Sequence, residues 1–570
     1  MIPEIEDIII NTVTKFERSD LAIVYQLDQF CKDYKGQALQ KDFNRHMMAV
    51  FRKYKTILKK TDLIVAYRKA LQEKHILQNI TMEKLICKKP SRSISGITSI
   101  TLVMDSHPNG QAFSCRHNCY YCPNEPAHEG NNFQDQPRSY LFNEPAVRRA
   151  NTNKFLAFEQ MIDRMDTLYR NGHTIDKLKI IIEGGTYTEY PIDYLNDFMR
   201  DIYYAANTYF SDSPRAKKFL DTEVYMNRNA KVHIIGVCIE TRPDAIDSGW
   251  IHHFRRCGVT RIQLGIQTAH NDILKKLNRG HTIEQGLACM EYLKDLCFKI
   301  DIHIMPDLPF TTPELDKATF DYVYNVLQPD QMKIYPCAVV PWTVIEKWYN
   351  NGVWKPMPSE DLLDVMNYAM KTCPRWIRLP RVVRDIPGEY IQAGNSVTNL
   401  RQSLTEGNEI RSREIERHPE YYHKPAKIFV ERYSSRDYFI SYESLDKKVL
   451  FGFVRLRLPD NKCLEYECLH NKALIRELHV YGYNTAVGDT AKASQHRGIG
   501  TRLLKRAESI AYYKNYPGVA VISGEGVKDY YTKKGYHEID TYMIKDFKMK
   551  FYNIYMLSTI ILFIGLVLNS

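Results

Sequence analysis

The sequence contains no low-complexity tract and no internal repeat, which excludes a solenoid, a fibre and a chain that stays unfolded throughout. It lacks a basic start: "MIPEIEDIII" has acids where a secretory signal has cations, so no secretory signal is expected. An even, closely spaced cysteine set is also missing. The 13 cysteines are odd in number and scattered over 570 residues, so they read as thiols of a reducing compartment rather than a disulfide framework. What is present is a globular composition, 44% hydrophobic and 25% charged, long enough for two or three domains. The formal net charge of +11 is compatible with a polyanionic partner. One stretch breaks the pattern: residues 551–570 carry no charge and follow Lys545, Lys548 and Lys550. Roughly 20 mainly apolar residues can cross a bilayer as a helix. A C-terminal hydrophobic helix at 551–568 is therefore expected to act as a tail anchor, with the remaining chain facing the cytoplasm; without insertion the chain would be cytoplasmic. A buried strand or helix is the competing reading.

Residues 1–90 read as helical and carry a basic segment with Lys41, Arg45, Arg52, Lys53, Lys55, Lys59 and Lys60 against Asp42. Phe43, Phe51 and Tyr54 are interleaved, a mixture that suits a nucleic-acid surface as well as a solvated helix face. Residues 91–340 alternate strand-like runs with stretches long enough for crossover helices: "ITSITLVM", "KLKIIIEGG", "VHIIGVCIET", "RIQLGIQT", "KIDIHIMPDLP" and "QMKIYPCAVV". That order predicts an α/β domain, a partial (β/α)6 barrel. Glu183, Glu240, Gln267, Asp307 and Lys333 fall at strand ends, where functional groups of such barrels gather. Residues 341–425 are proline-rich and read as a connector, with Arg378, Arg381 and Arg384 close together. An α+β unit at 426–550 alternates strands before "SQHRGIGTRLLKRAESIAYYK", a glycine turn opening an amphipathic helix.

Two constellations carry chemistry. "SCRHNCYYCPNEP" places Cys115, Cys119 and Cys122 on the loop after the first barrel strand. Three cysteines leave one iron of a 4Fe-4S cubane without a protein ligand, free to chelate a small molecule. A zinc site completed by His117 or His128 is the alternative, but no second cysteine pair is well placed. The spacing resembles the radical S-adenosylmethionine superfamily, in which the open iron binds S-adenosylmethionine and a glycine turn like Gly184-Gly185 receives its amino group. Glu240, Gln267 and Lys333 would complete that site. In the second constellation, Gln495, Arg497, Gly498 and Gly500 open a helix whose N-terminus suits a pyrophosphate. With "RELHVYG" before it and "AVISGEGVKDYYTKKGY" after it, the order resembles the GNAT acyltransferase fold, which binds acetyl-coenzyme A. Tyr530 or Tyr531 would protonate a leaving thiolate or place a water.

The two fused units, together with "QPRSYLFNEPAVRRA", "IETRPD", "NRGHT", "MPDLP", "VVRDIP", "ELHVYG" and "QHRGIGT", resemble the catalytic subunit of Elongator over about residues 85–548. The resemblance implies a tRNA wobble-uridine carboxymethyl synthase. A 5′-deoxyadenosyl radical would take a hydrogen from the acetyl methyl of acetyl-coenzyme A. The carbon radical would add to carbon 5 of the uridine, and thioester hydrolysis would leave the carboxymethyl group. The basic N-terminal segment and barrel would hold the tRNA anticodon stem-loop. Lys177 would contact acetyl-coenzyme A from the barrel side; Glu477, Leu478, His479, Val480, Ile499, Gly500, Thr501 and Tyr531 would contact it in the GNAT unit. Elongator-like accessory subunits and a second copy of the chain are the implied protein partners. One departure concerns the first cluster cysteine. The family usually leaves nine residues before the second one, which falls here on Asn109, while Cys115 supplies a three-residue spacing. A protein lysine acetyltransferase of histone type, with Glu477 as the tempting base, and a membrane-tethered tRNA-binding scaffold are the rival readings.

Overall fold

The computed structural model describes residues 15–34, 39–90, 96–211, 213, 215–397, 399–460, 465–482 and 498–548. The expected tail anchor at 551–568, and Gln495 and Arg497 of the glycine turn, lie outside the described residues. Among the described residues no helix is long and apolar enough to cross a membrane.

Four helices, α1 (Lys15–Asp33), α2 (Leu39–Lys53), α3 (Lys60–Gln72) and α4 (Ile80–Ile86), close the N-terminal region around Leu27, Phe43, Phe51, Leu63 and Met82. Asn79 caps α4 by accepting from the Met82 N–H and reaches Asp28 of α1 at 2.8 Å. Of the interleaved aromatics, two do not belong to a surface of either kind. Phe43 and Phe51 are core residues, and half-buried Tyr54 is held by Gln26 at 3.2 Å. The cations divide likewise: Arg45, Arg52, Lys53, Lys55 and Lys59 are exposed, while Lys60 donates to the Leu85 carbonyl. Arg68 of α3 docks the bundle on the barrel, lying 3.5 Å over the Tyr169 ring and donating to the His173 carbonyl.

The barrel strands are β1 (Thr98–Val103), β2 (Lys177–Glu183), β3 (His233–Thr241), β4 (Val259–Gln267), β5 (Lys299–Ile304) and β6 (Gln331–Ile334). They pair in sequence order, all parallel, with helices between them. The alternation of β2, "KLKIIIE", gives the sheet two unlike faces. Leu178, Ile180 and Ile182 pack under the helices, whereas Lys177 and Lys179 face inward. After a short strand β7 (Ala338–Val339), β8 (Arg378–Arg381) adds a seventh parallel strand beside β6, and β9 (Ala393–Gly394) pairs with β7. The seventh strand comes from the region read as a connector. Its "RLPR" is too short and too polar to show a strand period, and proline is tolerated because nothing pairs beyond it.

The C-terminal unit is a second seven-stranded sheet: β10 (Ala426–Arg432), β11 (Asp437–Ser444), β12 (Leu450–Arg457), β13 (Ala473–Val480), β14 (Gly518–Val521), β16 (Tyr542–Asp546) and β15 (His537–Ile539), in that spatial order. All neighbours are antiparallel except β13 and β14, which pair in parallel only from Ala473 to Ile475. Beyond Ile475 the two strands part, and the helix Ile499–Tyr513 crosses between them.

This sheet is bonded to the floor of the barrel by buried charge. Asp330, ahead of β6, accepts from Arg476 at 2.6 and 2.7 Å, and Arg457 donates to Asp295 and Glu291 of the barrel at 2.7 and 2.8 Å. Gly524 lies against β3 so closely that an added Cβ would stand 2.3 Å from the Ile235 carbonyl.

Candidate active site

The loop after β1 brings the cysteines to the carboxyl ends of the strands. Its path depends on the glycines after β2. Gly185 has φ +48°, and a Cβ there would stand 2.0 Å from the Ser114 carbonyl oxygen, which instead accepts from the Thr186 N–H at 3.0 Å. Gly184, at φ +121°, meets the Met104 backbone in the same way. The glycine pair thus seats the cysteine loop itself. Cys115 accepts from the Thr186 hydroxyl at 3.1 Å. Buried Cys119 accepts from Arg242 at 3.6 Å and from Arg279 at 3.5 Å. The neighbouring Cys122, and then the two guanidiniums, pull the Cys119 thiol down to about 4 against its burial, while Cys122 is pushed up. Asn109 sits in an exposed turn of the same loop, ahead of the cysteines.

Inside the mouth, Glu240 accepts from Tyr140 at 3.1 Å and faces His303 at 3.3 Å. Burial would raise Glu240, but His303, Lys333 and Arg384 bring it down to about 2. His303 and Lys333 both meet the Gln263 carbonyl oxygen. Gln267 ends β4 at φ +75°, and its buried Oε1 has no partner among the described residues. Asp307 turns away instead: its carboxylate accepts from the Met357 N–H at 2.9 Å. The three connector arginines separate too. Arg384 pairs with Glu144 at 2.7 Å beside the mouth, Arg378 pairs with Glu414 at 2.9 Å near the floor, and Arg381 faces a different pocket.

The second part of the site lies at the opposite end of the barrel. Where β13 and β14 part, a cavity of about 960 Å³ opens between the C-terminal sheet and the amino ends of the barrel strands. One side is Glu477, Leu478, His479 and Val480 of β13 with Gly498, Gly500 and Thr501 at the start of the helix, and Tyr530 and Tyr531. The other is Lys177, Lys179, Arg261, Lys299 and Arg378 of the barrel floor. Gly498, at φ +71°, starts the helix, and Gly500 leaves room for the Tyr530 hydroxyl, which a Cβ would meet at 3.1 Å. Ile499 turns from the cavity into the core, and Tyr531 is itself mostly buried. Glu477 is fixed between Arg261 at 2.6 Å and Arg455 at 3.0 Å, which hold its carboxyl far below the carboxylate range despite burial. Burial pushes His479 down to about 4.

The structure therefore brings Glu240, Lys333 and the cysteines to one mouth, and Lys177 to the same cavity as the β13 residues. Sequence reasoning passed over Tyr140, Arg242, Gln263, Arg279 and His303. All five lie in runs that the sequence singles out, "QPRSYLFNEPAVRRA", "IETRPD", "RIQLGIQT", "NRGHT" and "KIDIHIMPDLP", in which at most a strand-end residue is assigned.

A parallel half-barrel with three cysteines on the loop after its first strand defines a radical S-adenosylmethionine protein. The Radical SAM superfamily profile matches residues 112–316, and the Radical_SAM C-terminal domain matches residues 329–410. The chain is 34% identical over 486 residues to the tRNA uridine(34) acetyltransferase of Methanocaldococcus infernus, an alignment covering 81% of this chain and 88% of that one. It is 32% identical over 508 residues to Elongator complex protein 3 of Schizosaccharomyces pombe, covering 85% and 90%. The chain belongs to this family of Elongator complex protein 3 and tRNA uridine(34) acetyltransferases. The solved structure of Methanocaldococcus infernus Elp3 with an N-terminal deletion superposes on 80% of this chain and all of that one, with TM-score 0.65 and 29% identity.

The superfamily implies a 4Fe-4S cluster and S-adenosylmethionine. The residues fit both. Three thiols share one loop, two guanidiniums stand against Cys119, and Gln267 offers an orphan carbonyl oxygen at the mouth. Among the described residues no three donors converge on a single metal ion, and a cluster needs no such convergence because each thiolate takes a different iron.

Proposed function

We propose that the chain carboxymethylates the wobble uridine of tRNA, taking the two-carbon unit from acetyl-coenzyme A. The observation that carries this reading is the polar axis of the barrel. Along β4, Arg261, Gln263 and Gln267 fall on the inward side while Ile262, Leu264 and Ile266 pack under the helices. Six residues of strand span about 20 Å. Arg261 belongs to the cavity, Gln263 bonds His303 and Lys333 of the mouth from below, and Gln267 ends the row at the mouth. A barrel interior is ordinarily filled by branched apolar side chains. Here a row of hydrogen-bonding groups joins the two sites, which supports one reaction shared between them.

In this reading Cys115, Cys119 and Cys122 hold the cluster, which supplies the electron that splits S-adenosylmethionine. Arg242 and Arg279 balance the thiolate charge. Glu240 and Gln267 take polar groups of the bound nucleoside, and Lys333, kept charged by Tyr335, Glu183 and Glu240 despite burial, donates to a carbonyl oxygen. In the cavity, the helix start at Gly498 takes the pyrophosphate and Lys177 a further phosphate. Tyr530, with its hydroxyl at Gly500, places a proton at the departing thiolate.

The lysine acetyltransferase reading is weakened on two counts. The barrel floor occupies the side of the cavity from which a protein lysine would enter. Glu477 is a poor base, because Arg261 and Arg455 hold its carboxyl far below the carboxylate range and leave it with little affinity for a proton. The test is anaerobic turnover of the reconstituted full chain with S-adenosylmethionine, acetyl-coenzyme A, a reductant and bulk tRNA, reading nucleosides by mass spectrometry. Carboxymethyluridine that disappears in Cys119→Ser and in Gly498→Glu ties both sites to one reaction. Unmodified tRNA with an intact cluster and an acetylated protein would return the lysine reading.

A further inference from the structure

A second cavity, of about 510 Å³, opens on the flank of the barrel beyond β8. Its wall carries four arginines, Arg381, Arg401, Arg411 and Arg417, against the carboxylates Asp385 and Glu406. The arginines are unequally paired. Arg401 is committed to Glu409 and to the Leu379 carbonyl. Arg381 meets Asp385 at 3.0 Å, but both side chains are about half exposed, and such a pair is worth little in water. Arg411 donates to the Pro380 carbonyl and makes no ion pair among the described residues; nor does exposed Arg417. Burial, and then Arg401, Arg378 and Arg417, bring Arg411 down to about 10, outweighing the attraction of Glu414. The wall thus holds more positive charge than the chain's own carboxylates balance, in the planar forks that match phosphate oxygens.

Arg381 fixes where this pocket stands. It lies opposite Lys333 in the β6–β8 register, near enough to Tyr335 for the two to shift each other's titration. The Tyr335 ring packs on His303, centroids 5.4 Å apart, and His303 faces Glu240 in the mouth. Neighbouring strands are about 4.8 Å apart, so pocket and mouth share a wall one strand thick.

We infer that the arginine pocket is a phosphodiester site, gripping the RNA backbone beside the nucleotide whose base enters the barrel. This rests on the tRNA reading above. The exposed cations of α2 give a diffuse attraction; the pocket would set which nucleotide stands at the mouth.

The test uses the full-length holoenzyme, Arg411→Gln and Arg417→Gln, titrated with tRNA between about 50 and 200 mM salt. Each variant should lower the slope of log affinity against log salt by about 0.7–0.9, the share of one phosphate contact. RNA-independent cleavage of S-adenosylmethionine should stay at the wild-type rate. A wild-type slope in both variants overturns the proposal. Loss of inorganic phosphate binding with the RNA slope intact also overturns it, since the pocket would then serve a free anion. A wild-type enzyme that binds no tRNA refutes the tRNA reading itself, a result separable from these. Should Arg411→Gln fail to fold, exposed Arg417→Gln decides alone.

Discussion

Asp330→Asn removes one charge from the contact between barrel and C-terminal sheet while keeping the side-chain shape. The aspartate is fully buried, caps the Ile300 N–H at 2.8 Å, and receives both Arg476 bonds. Burial would raise its carboxyl, but Arg476 and Arg455 bring it from 3.8 to about 2. At roughly 1.4 kcal/mol per unit, that pull is worth roughly 2–3 kcal/mol. The asparagine also leaves two buried guanidiniums short of charge: Arg455 keeps Glu477 at 3.0 Å, and Arg476 keeps only Asp437 at 3.9 Å. Breaking a buried pair from one side costs about 3–5 kcal/mol. Hydrogen exchange in β12 and β13 should therefore accelerate by about two to three and a half orders of magnitude, with α1–α4 unchanged as an internal control. The sign with pH is fixed too. A depressed carboxyl contributes stability above its unfolded value and loses it as pH falls through the folded one, so the difference should stay constant from pH 5 to 8 and shrink only between about 4 and 2. An acceleration below about tenfold would refute the idea that this charge network joins the two units.

Gly185→Ala places a Cβ on the Ser114 carbonyl at a left-handed φ, so iron incorporation and the visible absorbance of the reconstituted cluster should fall well below half of wild type. Gly524→Ala drives a methyl into the β3 backbone; it should cost about 1–3 kcal/mol in chemical denaturation and raise the KM for acetyl-coenzyme A, with cluster content unchanged. Asp307 and Asp316 are each pushed up to about 7, chiefly by burial. A carboxyl that keeps its proton when folded costs stability as pH rises from about 4 to 7, so wild type should be less stable at pH 8 than at pH 5, and Asp316→Asn should flatten that slope. Equal slopes in both proteins would discard the assignment.

The half-barrel was legible because its strands repeat a strong pattern, apolar on one side and terminated by a polar residue, with helices of regular length between them. β8 was not, since four residues with a proline carry no period. The cysteine loop was legible from its spacing together with its place after the first strand. Its support was not, because Arg242 follows β3 while Arg279 lies on a loop between two later helices, and they meet Cys119 only in the folded barrel. The N-terminal aromatics show the opposite error. Phe43 and Phe51 sit among cations in sequence, yet a helix sends neighbouring residues to different faces, and their face is the core.

The cavity exposes the same limit at the level of domains. From sequence, Glu477 to Val480 were contact residues of the C-terminal unit and Lys177 a contact from the barrel, with nothing to say how the units meet. The meeting is decided by arginines that look ordinary in sequence: Arg455, Arg457 and Arg476 lie on strands whose alternation sends them into the interface, where Asp330, Asp295 and Glu291 wait. Once those pairs form, Arg261 must turn toward Glu477, and the floor of the barrel becomes a wall of the cavity. A carboxylate that sequence offers as a base is thereby spent on joining the units. The polar row of β4 then leads from the same arginine to the mouth. The orientation of the two units and the path between their sites thus follow from one set of buried ion pairs, and variants that loosen those pairs should uncouple acetyl-coenzyme A consumption from modification of the RNA before either partial reaction is lost.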